Sequence, residues 1–263
     1  MATAMSQTPT TDIALGFTSQ EEETAVDSLR VTGELPAWLT GGLVRVTPAK
    51  LEVGDRRVDH WFDGLAMLNR FGFADGKVSY KSRFLRSRAY EKAQDGELMG
   101  GFATDPCRSI FKRVQAIFSP DFTDNPNVNL ARIGDRYIAM TETPMPVEFD
   151  PETLDTIGHL EQADRLRAHV STAHPHHDPQ RGELVNYVAR FSRVSEYVLF
   201  GLPVESSTRR VIAKLPVERP AYMHAFGMSG RYLILAEYPL RVNPMKLALS
   251  GKPFIENYEW DGA

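Results

Sequence analysis

The feature that most constrains the fold is a repeat of short strand-like segments that follow turns. The segment RYIAMTETP at 136–144 aligns with RYLILAEYP at 231–239, at an offset of 95 residues. The segment YKSRF at 80–84 recurs as YVARF at 187–191, at an offset of 107 residues. Propeller blades run roughly 40–50 residues, so both offsets approximate two blades. The pattern predicts an all-β fold, and a β-propeller rather than a sandwich or barrel.

The rest of the chain shows the same pattern of short strand-like runs separated by turns. From Leu29 onward, runs rich in Val, Ile, Tyr and Phe are separated by glycine turns such as Asp75-Gly76. The alternative is that unrelated turn–strand units resemble one another by chance. At most about five blades fit in 263 residues. We therefore expect a partial β-propeller domain over 13–263 with short helical or loop cap insertions, and a disordered tail over 1–12. Residues 161–169 are the best short helix candidate.

Composition excludes several classes of function. A net charge of −4 provides no basic surface for nucleic acid. A single cysteine, Cys107, excludes an internal disulfide framework and a cysteine-based zinc site, so a metal would be held by histidine and carboxylate. No run approaches the roughly 18 apolar residues of a membrane span. The N-terminus has no basic region followed by an apolar core, so the predicted location is the cytoplasm.

Three of the seven histidines, His174, His176 and His177, lie within four residues. Imidazole is the commonest metal ligand among neutral side chains, although a histidine-rich turn is also typical of a solvated loop. Pro175 disfavours helical geometry at His174, which therefore cannot belong to an i, i+4 helical pair. If His174 binds a metal, the other ligands come from elsewhere in the chain.

Alternation suggests two further candidates. A strand over residues 222–228 would place His224 in an apolar row, where a lone histidine is more often a hydrogen-bonded core residue than a ligand. Glu142 follows an apolar row that begins at Ile138. It is either an exposed strand end or the acceptor of an N–H from a metal-binding imidazole. Glu237 occupies the matching repeat position, and we interpret it as structural.

Seven blocks, in order over roughly residues 15–260, resemble those of the carotenoid cleavage oxygenases. They are LPAWLTG at 35–41, HWFDGLAML at 60–68, DPCR at 105–108, TDNPNVN at 123–129, TET at 141–143, TAHPH at 172–176 and MHAFGM at 223–228. The blocks are more similar to the carotenoid- and retinoid-acting branch than to the stilbene-cleaving one. Two positions depart from the family pattern. RVTPA at 45–49 stands where the family has Arg-Asn-Gly-Pro-Gly, and Asn69 replaces a histidine.

The resemblance implies a seven-bladed propeller with a helical cap and an Fe(II) ion on its axis. Four histidines would hold the ion, three of them backed by glutamates. By motif, His174 is the first ligand, His224 the second, and Glu142 one of the glutamates. His60 belongs to a structural block. The remaining ligands belong to the family's C-terminal half, so completing the site would require that half or a second copy of the chain.

The implied activity is cleavage of a C=C bond in a carotenoid or apocarotenoid by O2, giving two carbonyl products. An apolar polyene substrate suggests peripheral contact with a membrane. Residues 197–203 are either an apolar loop at a membrane-facing tunnel mouth or a buried strand. Two alternative functions remain open at this point: a non-catalytic propeller fragment or binding scaffold, and a stilbenoid-cleaving dioxygenase.

Overall fold

The computed structural model describes residues 12–99, 101–104 and 123–262. The predicted disordered tail over 1–12 lies outside these residues except for Asp12, where a short helix begins, and the block containing Cys107 also lies outside them. The described helices are α1 Asp12–Leu15, α2 Arg88–Gln94 and α3 Pro244–Ser250, with 3₁₀ helices at Trp61–Asp63 and Phe254–Asn257.

Most of the regular structure is strand, which confirms the predicted all-β fold. The strands are β1 Ala25–Val26, β2 Gly41–Lys50, β3 Glu52–Val53, β4 Arg56–Arg57, β5 Leu65–Ala74, β6 Lys77–Phe84, β7 Asn129–Ile133, β8 Arg136–Met140, β9 Val147–Phe149, β10 Thr156–His159, β11 Val170–Ser171, β12 His176–Asp178, β13 Glu183–Arg190, β14 Ser195–Pro203, β15 Arg210–Val217, β16 Gly227–Met228, β17 Leu233–Ile234, β18 Leu240–Val242 and β19 Tyr258–Trp260.

Three larger antiparallel sheets follow one another along the chain. Their strand orders are β1-β6-β5-β2 in the first, β10-β9-β8-β7 in the second and β11-β13-β14-β15 in the third, where β12 also pairs with β13. Two-stranded ribbons, β16-β17 and β18-β19, come after them. Both repeats predicted from the sequence fall on strands, with 80–84 in β6, 187–190 in β13, 136–140 in β8 and 233–234 in β17.

Apolar clusters join each sheet to the next. Ala66 and Leu68 of the first sheet pack with Ala139 and Phe149 of the second. Ile138 and Met140, on the other face of the second sheet, pack with Leu184, Val188 and Val198 of the third. Both faces of the third sheet are covered, and seven of the eight residues of β13 are buried. The buried strand β13 pairs with the two short strands that flank His174.

The helix predicted over 161–169 is wrong, because this segment is irregular. The carboxylate of Asp164 accepts the backbone N–H of Leu166 at 2.8 Å and also binds Arg209. A local bond from an aspartate side chain to the backbone competes with helix formation. Arg209, 45 positions further along the chain than Asp164, holds the segment in place of helical hydrogen bonds.

The apolar segment at 197–203 lies within β14, between β13 and β15, and most of its residues are buried. The buried-strand alternative is thus correct, and the loop at a membrane-facing tunnel mouth is wrong for these residues. Within the described ranges, no helix is long and apolar enough to cross a membrane.

Replacing Gly201 with alanine should lower the free energy of unfolding by about 1–3 kcal/mol, the usual cost of overpacking a core. A Cβ atom at this position would overlap the carboxylate of Glu183, which is 3% exposed and paired with Arg210 at 2.5 Å. Urea unfolding followed by circular dichroism measures the difference. Gly230→Ala is the matched control, since no atom lies within 4 Å of the added Cβ. Equal stability of the two variants would contradict the prediction.

Candidate functional site

His174 lies in the loop between β11 and β12, which both pair with β13. Its backbone N–H donates to the hydroxyl of Thr172 at 3.1 Å. The side-chain amide of Asn129 donates to the carbonyl of Ala173 at 2.8 Å and lies 3.4 Å from His174 Nδ1. Both bonds fix the peptide that joins Ala173 to His174, directly before the residue that carries the ring.

His224 lies in an irregular segment rather than in a strand, so the predicted alternation over 222–228 is wrong except at Gly227–Met228. Met223 and Phe226 are the buried residues, whereas the side chain of His224 is 45% exposed. Two hydroxyls replace the missing strand bonds. Tyr187 donates to the carbonyl of Met223, and Thr172 donates to the carbonyl of His224. Buried backbone groups outside a sheet need partners of this kind.

The structure brings His174 and His224 together although they are 50 residues apart in the chain. Their Nε2 atoms are separated by 2.8 Å and their ring centroids by 4.4 Å. Two imidazole nitrogens bound to one ion at ~2.1 Å and at right angles would be ~3.0 Å apart. The pair is therefore close to the spacing that a shared metal requires.

Glu142 follows β8 and is not an exposed strand end, because its side chain is only 12% exposed. One carboxylate oxygen lies 2.7 Å from His224 Nδ1, and the other accepts the hydroxyl of Tyr222 at 2.7 Å. A proton held on Nδ1 by the carboxylate leaves the Nε2 lone pair of His224 available. This is the arrangement expected for an imidazole that binds a metal.

The environments of the two histidines differ. The pKa of His224 is raised, chiefly because Glu142 accepts its ring N–H, with burial acting in the opposite direction. The pKa of His174 is lowered by burial and by the nearby His224. The pKa of the Tyr222 hydroxyl is raised by burial and by the Glu142 carboxylate, so it remains a donor at neutral pH. A neutral His174 retains the lone pair that coordination needs.

The other candidate side chains are not part of the pair formed by His174 and His224. His176, on β12, lies 2.8 Å from the carbonyl of Phe226 through its Nε2, and His177 is exposed. His60 accepts the N–H of Phe62 at 3.1 Å at the start of a 3₁₀ helix. Glu237 accepts the hydroxyl of Tyr197 at 2.8 Å and contacts neither His174 nor His224. Within the described part of the chain, no three His, Cys, Asp or Glu side chains are grouped to hold a metal.

Thr172 and Tyr222 have functional contacts that the sequence does not reveal. Both stand beside the predicted ligands, Thr172 within the TAHPH block and Tyr222 just before MHAFGM. Their partners, however, are 52 and 80 residues away in the chain. No local pattern signals such contacts.

Comparisons with known proteins identify the family of the chain. The sequence model of the retinal pigment epithelial membrane protein family matches residues 17–263. The chain is 36% identical to a mitochondrial carotenoid-cleaving dioxygenase of Macaca fascicularis, over 93% of this chain and 48% of that protein. It is 32% identical to a beta,beta-carotene 15,15'-dioxygenase of Gallus gallus, over 92% of this chain and 50% of that protein. The chain thus spans about half the length of the curated relatives it matches.

Solved structures that match the chain are also carotenoid-type oxygenases, and the chain again covers about half of each. A variant of the Synechocystis apocarotenoid oxygenase superposes with a TM-score of 0.78 at 26% identity, over 94% of this chain and 53% of the other. A cobalt-substituted form of the Synechocystis enzyme superposes with a TM-score of 0.77, also at 26% identity, over 94% and 53% of the two chains.

Proposed function

Because this chain belongs to the retinal pigment epithelial membrane protein family of carotenoid oxygenases, we propose that it forms part of a non-haem Fe(II) dioxygenase. The reaction is cleavage of a C=C bond in a carotenoid or apocarotenoid by O2. The double bond breaks and each of its carbons receives one oxygen atom, which gives two carbonyl products. The names of the carotenoid-cleaving relatives support this substrate class over stilbenoids.

The observation that carries the proposal is the contact between His174 and His224, with Glu142 on the outer nitrogen of His224. These donors fit Fe(II), because two neutral imidazoles leave coordination positions for other ligands. His174 and His224 would hold the ion. When bound, Fe(II) supplies redox chemistry toward O2 that the side chains lack. The further ligands would come from a C-terminal half or from a second copy of the chain.

The remaining tasks belong to side chains of this chain. Glu142 keeps the ring proton of His224 on Nδ1 and aims Nε2 toward His174. Aromatic rings lie beside Tyr222, the residue that binds Glu142. The ring centroid of Phe102 is 6.4 Å from that of Tyr222, and the centroid of Tyr258 is 5.6 Å from it. Apolar and aromatic walls are suited to a polyene and exclude water from the reacting bond.

The finer architecture is part of the proposal. Three successive antiparallel sheets and two ribbons support a β-propeller with an incomplete set of blades. A ring of blades closes to protect its edges, so additional strands would cover the ribbons. Location in the cytoplasm and contact with a membrane surface stay predictions.

Iron content per chain, after anaerobic loading with Fe(II) and desalting, is the first test. Near-stoichiometric iron supports the proposal, and incubation with β-carotene or an apocarotenal under 18O2 should then label both carbonyl products. A chain that retains no iron and yields no product would instead be a non-catalytic fragment or scaffold. Cleavage of a phenolic stilbene alone would assign the stilbenoid function.

Replacing Glu142 with glutamine should weaken metal affinity or cleavage by about 10–100-fold, the usual effect of losing the outer partner of a metal-bound imidazole. The neutral amide no longer stabilises the N–H of His224 by charge. Co(II) titration followed by visible absorption measures the affinity. Glu237→Gln is the matched control, because Glu237 has the same repeat position but binds Tyr197. Equal affinities for the two variants would remove Glu142 from the site.

A further inference from the structure

The hydroxyl of Thr172 contacts both histidine-bearing segments. It accepts the backbone N–H of His174 at 3.1 Å and donates its own proton to the carbonyl of His224. Thr172 is 1% exposed, so water does not compete for these bonds. A hydroxyl is suited to this position because it is both a donor and an acceptor, and it can bridge an N–H of one segment and a C=O of another.

Strand pairing does not set the spacing of the two segments. His224 lies outside any strand, and β16, which follows it, pairs with β17 and not with the His174 loop. Tyr187, on β13, donates to the carbonyl of Met223, and His176, on β12, lies 2.8 Å from the carbonyl of Phe226. Both therefore bond the neighbours of His224 and not His224 itself. Among the described residues, Thr172 is the one whose side chain bonds the backbone of both histidines.

Thr172 is itself held in place from the third sheet. The side-chain amide of Asn186, on β13, donates to the carbonyl of Thr172 at 3.0 Å, and Asn186 Oδ1 accepts the N–H of Tyr187 at 2.8 Å. Both groups are buried. The backbone of Thr172 is therefore fixed. Its hydroxyl in turn fixes the backbone of both histidines through its two hydrogen bonds.

We propose that Thr172 is a positioning residue whose hydroxyl holds the imidazoles of His174 and His224 in contact. The inference rests on the proposed function where it concerns metal, because the spacing it maintains is the one that a shared ion needs. It goes further by naming the group that sets this spacing. Without the hydroxyl, the N–H of His174 and the carbonyl of His224 lose their shared partner, and only bonds to the neighbours of His224, from His176 and Tyr187, still hold the segment.

Three variants test the role. Thr172→Val removes the hydroxyl while nearly keeping the shape, and Thr172→Ser keeps the hydroxyl while removing the methyl group. Thr143→Val is the control, because its hydroxyl donates to the carbonyl of Thr123 at 2.8 Å and contacts neither histidine segment. Thermal unfolding and amide NMR spectra of each variant establish that the fold is retained.

The first readout uses the metal-free chain. The two Nε2 atoms lie at a hydrogen-bond distance of 2.8 Å, so 15N-labelled wild type should show a through-hydrogen-bond coupling between them. Thr172→Val should lose this coupling and expose the His174 amide to faster hydrogen exchange, whereas Thr172→Ser and Thr143→Val should keep both. The second readout is Co(II) affinity, which should fall about 10-fold in Thr172→Val and be restored in Thr172→Ser.

The outcomes separate this inference from the proposed function. Retained coupling and unchanged Co(II) affinity in Thr172→Val would overturn the role of Thr172, and so would an equal loss in Thr172→Ser, since packing of the methyl group would then be responsible. Absence of the coupling from wild type would also overturn it. A wild type that shows the coupling but binds no Co(II), with the coupling lost in Thr172→Val, would support the positioning role and count against the metal function.

Discussion

Replacing His224 with alanine is expected to abolish retention of Fe(II) or Co(II) by this chain while leaving its fold intact. The substitution removes one of the two imidazoles that face each other at 2.8 Å, and the remaining His174 cannot chelate alone. The loss should exceed the about 10–100-fold effect expected for Glu142→Gln, which keeps the ligand and changes only its partner. Because the side chain is 45% exposed, the free energy of unfolding should change by no more than about 1 kcal/mol.

Metal content after desalting and the visible spectrum of the Co(II) form are the measurements. His177→Ala is the matched control, since His177 is an exposed histidine only a few residues from His174. It should retain metal like the wild type. Full iron occupancy in His224→Ala would place the metal elsewhere, and equal loss in both variants would indicate unspecific binding to histidines.

Replacing Asp164 with alanine is expected to lower the free energy of unfolding by about 3–5 kcal/mol, the usual cost of removing one partner of a buried ion pair. The carboxylate accepts the Nη2 and Nε protons of Arg209 at 2.6 and 2.9 Å, and the two side chains are 13% and 4% exposed. Alanine would leave the guanidinium buried without its counter-charge. It would also release the irregular segment over 161–169, which precedes the His174 loop.

Urea unfolding at several pH values tests this prediction. Hydrogen bonds from Arg209 lower the pKa of Asp164 to about 2, against the opposing effect of burial, whereas an aspartate in an unfolded chain has a pKa of about 3.9. The stabilisation is therefore complete above pH ~4 and is lost as the pH falls toward ~2. The difference between wild type and variant should shrink over that range.

Asp135→Ala serves as the comparison, because Asp135 pairs with Arg132 on the surface, where both side chains are more than half exposed. Exposed pairs contribute about 0–1 kcal/mol, so this variant should unfold nearly like the wild type. A similar small effect in Asp164→Ala would show that the Arg209 contact does not stabilise the fold.

The sequence was sufficient for the fold class and for the family. Short runs rich in Val, Ile, Tyr and Phe between glycine turns are a local property of the sequence, and strands are found at such runs, as in β6, β8 and β13. The blocks around His174, His224 and Glu142 carried the resemblance that the comparisons confirm. These inferences need no knowledge of which segments meet in space.

The sequence pattern predicted the wrong secondary structure in two segments whose backbone conformation is set by side chains distant in the chain. Residues 161–169 are not helical, because Arg209 binds Asp164 from 45 positions further along the chain. The segment around His224 is not a strand, because hydroxyls from Thr172 and Tyr187 satisfy its carbonyls. In both cases tertiary contacts outweighed the local propensity.

The sequence by itself determined the all-β character, the family and the identity of two histidines and one glutamate as candidates. Only the tertiary structure decided that the two Nε2 atoms lie 2.8 Å apart, that Glu142 takes the outer nitrogen of His224, and that Thr172 joins the two segments. Strand periodicity is encoded by neighbouring residues, whereas a contact across 50 or 80 residues depends on how the sheets pack.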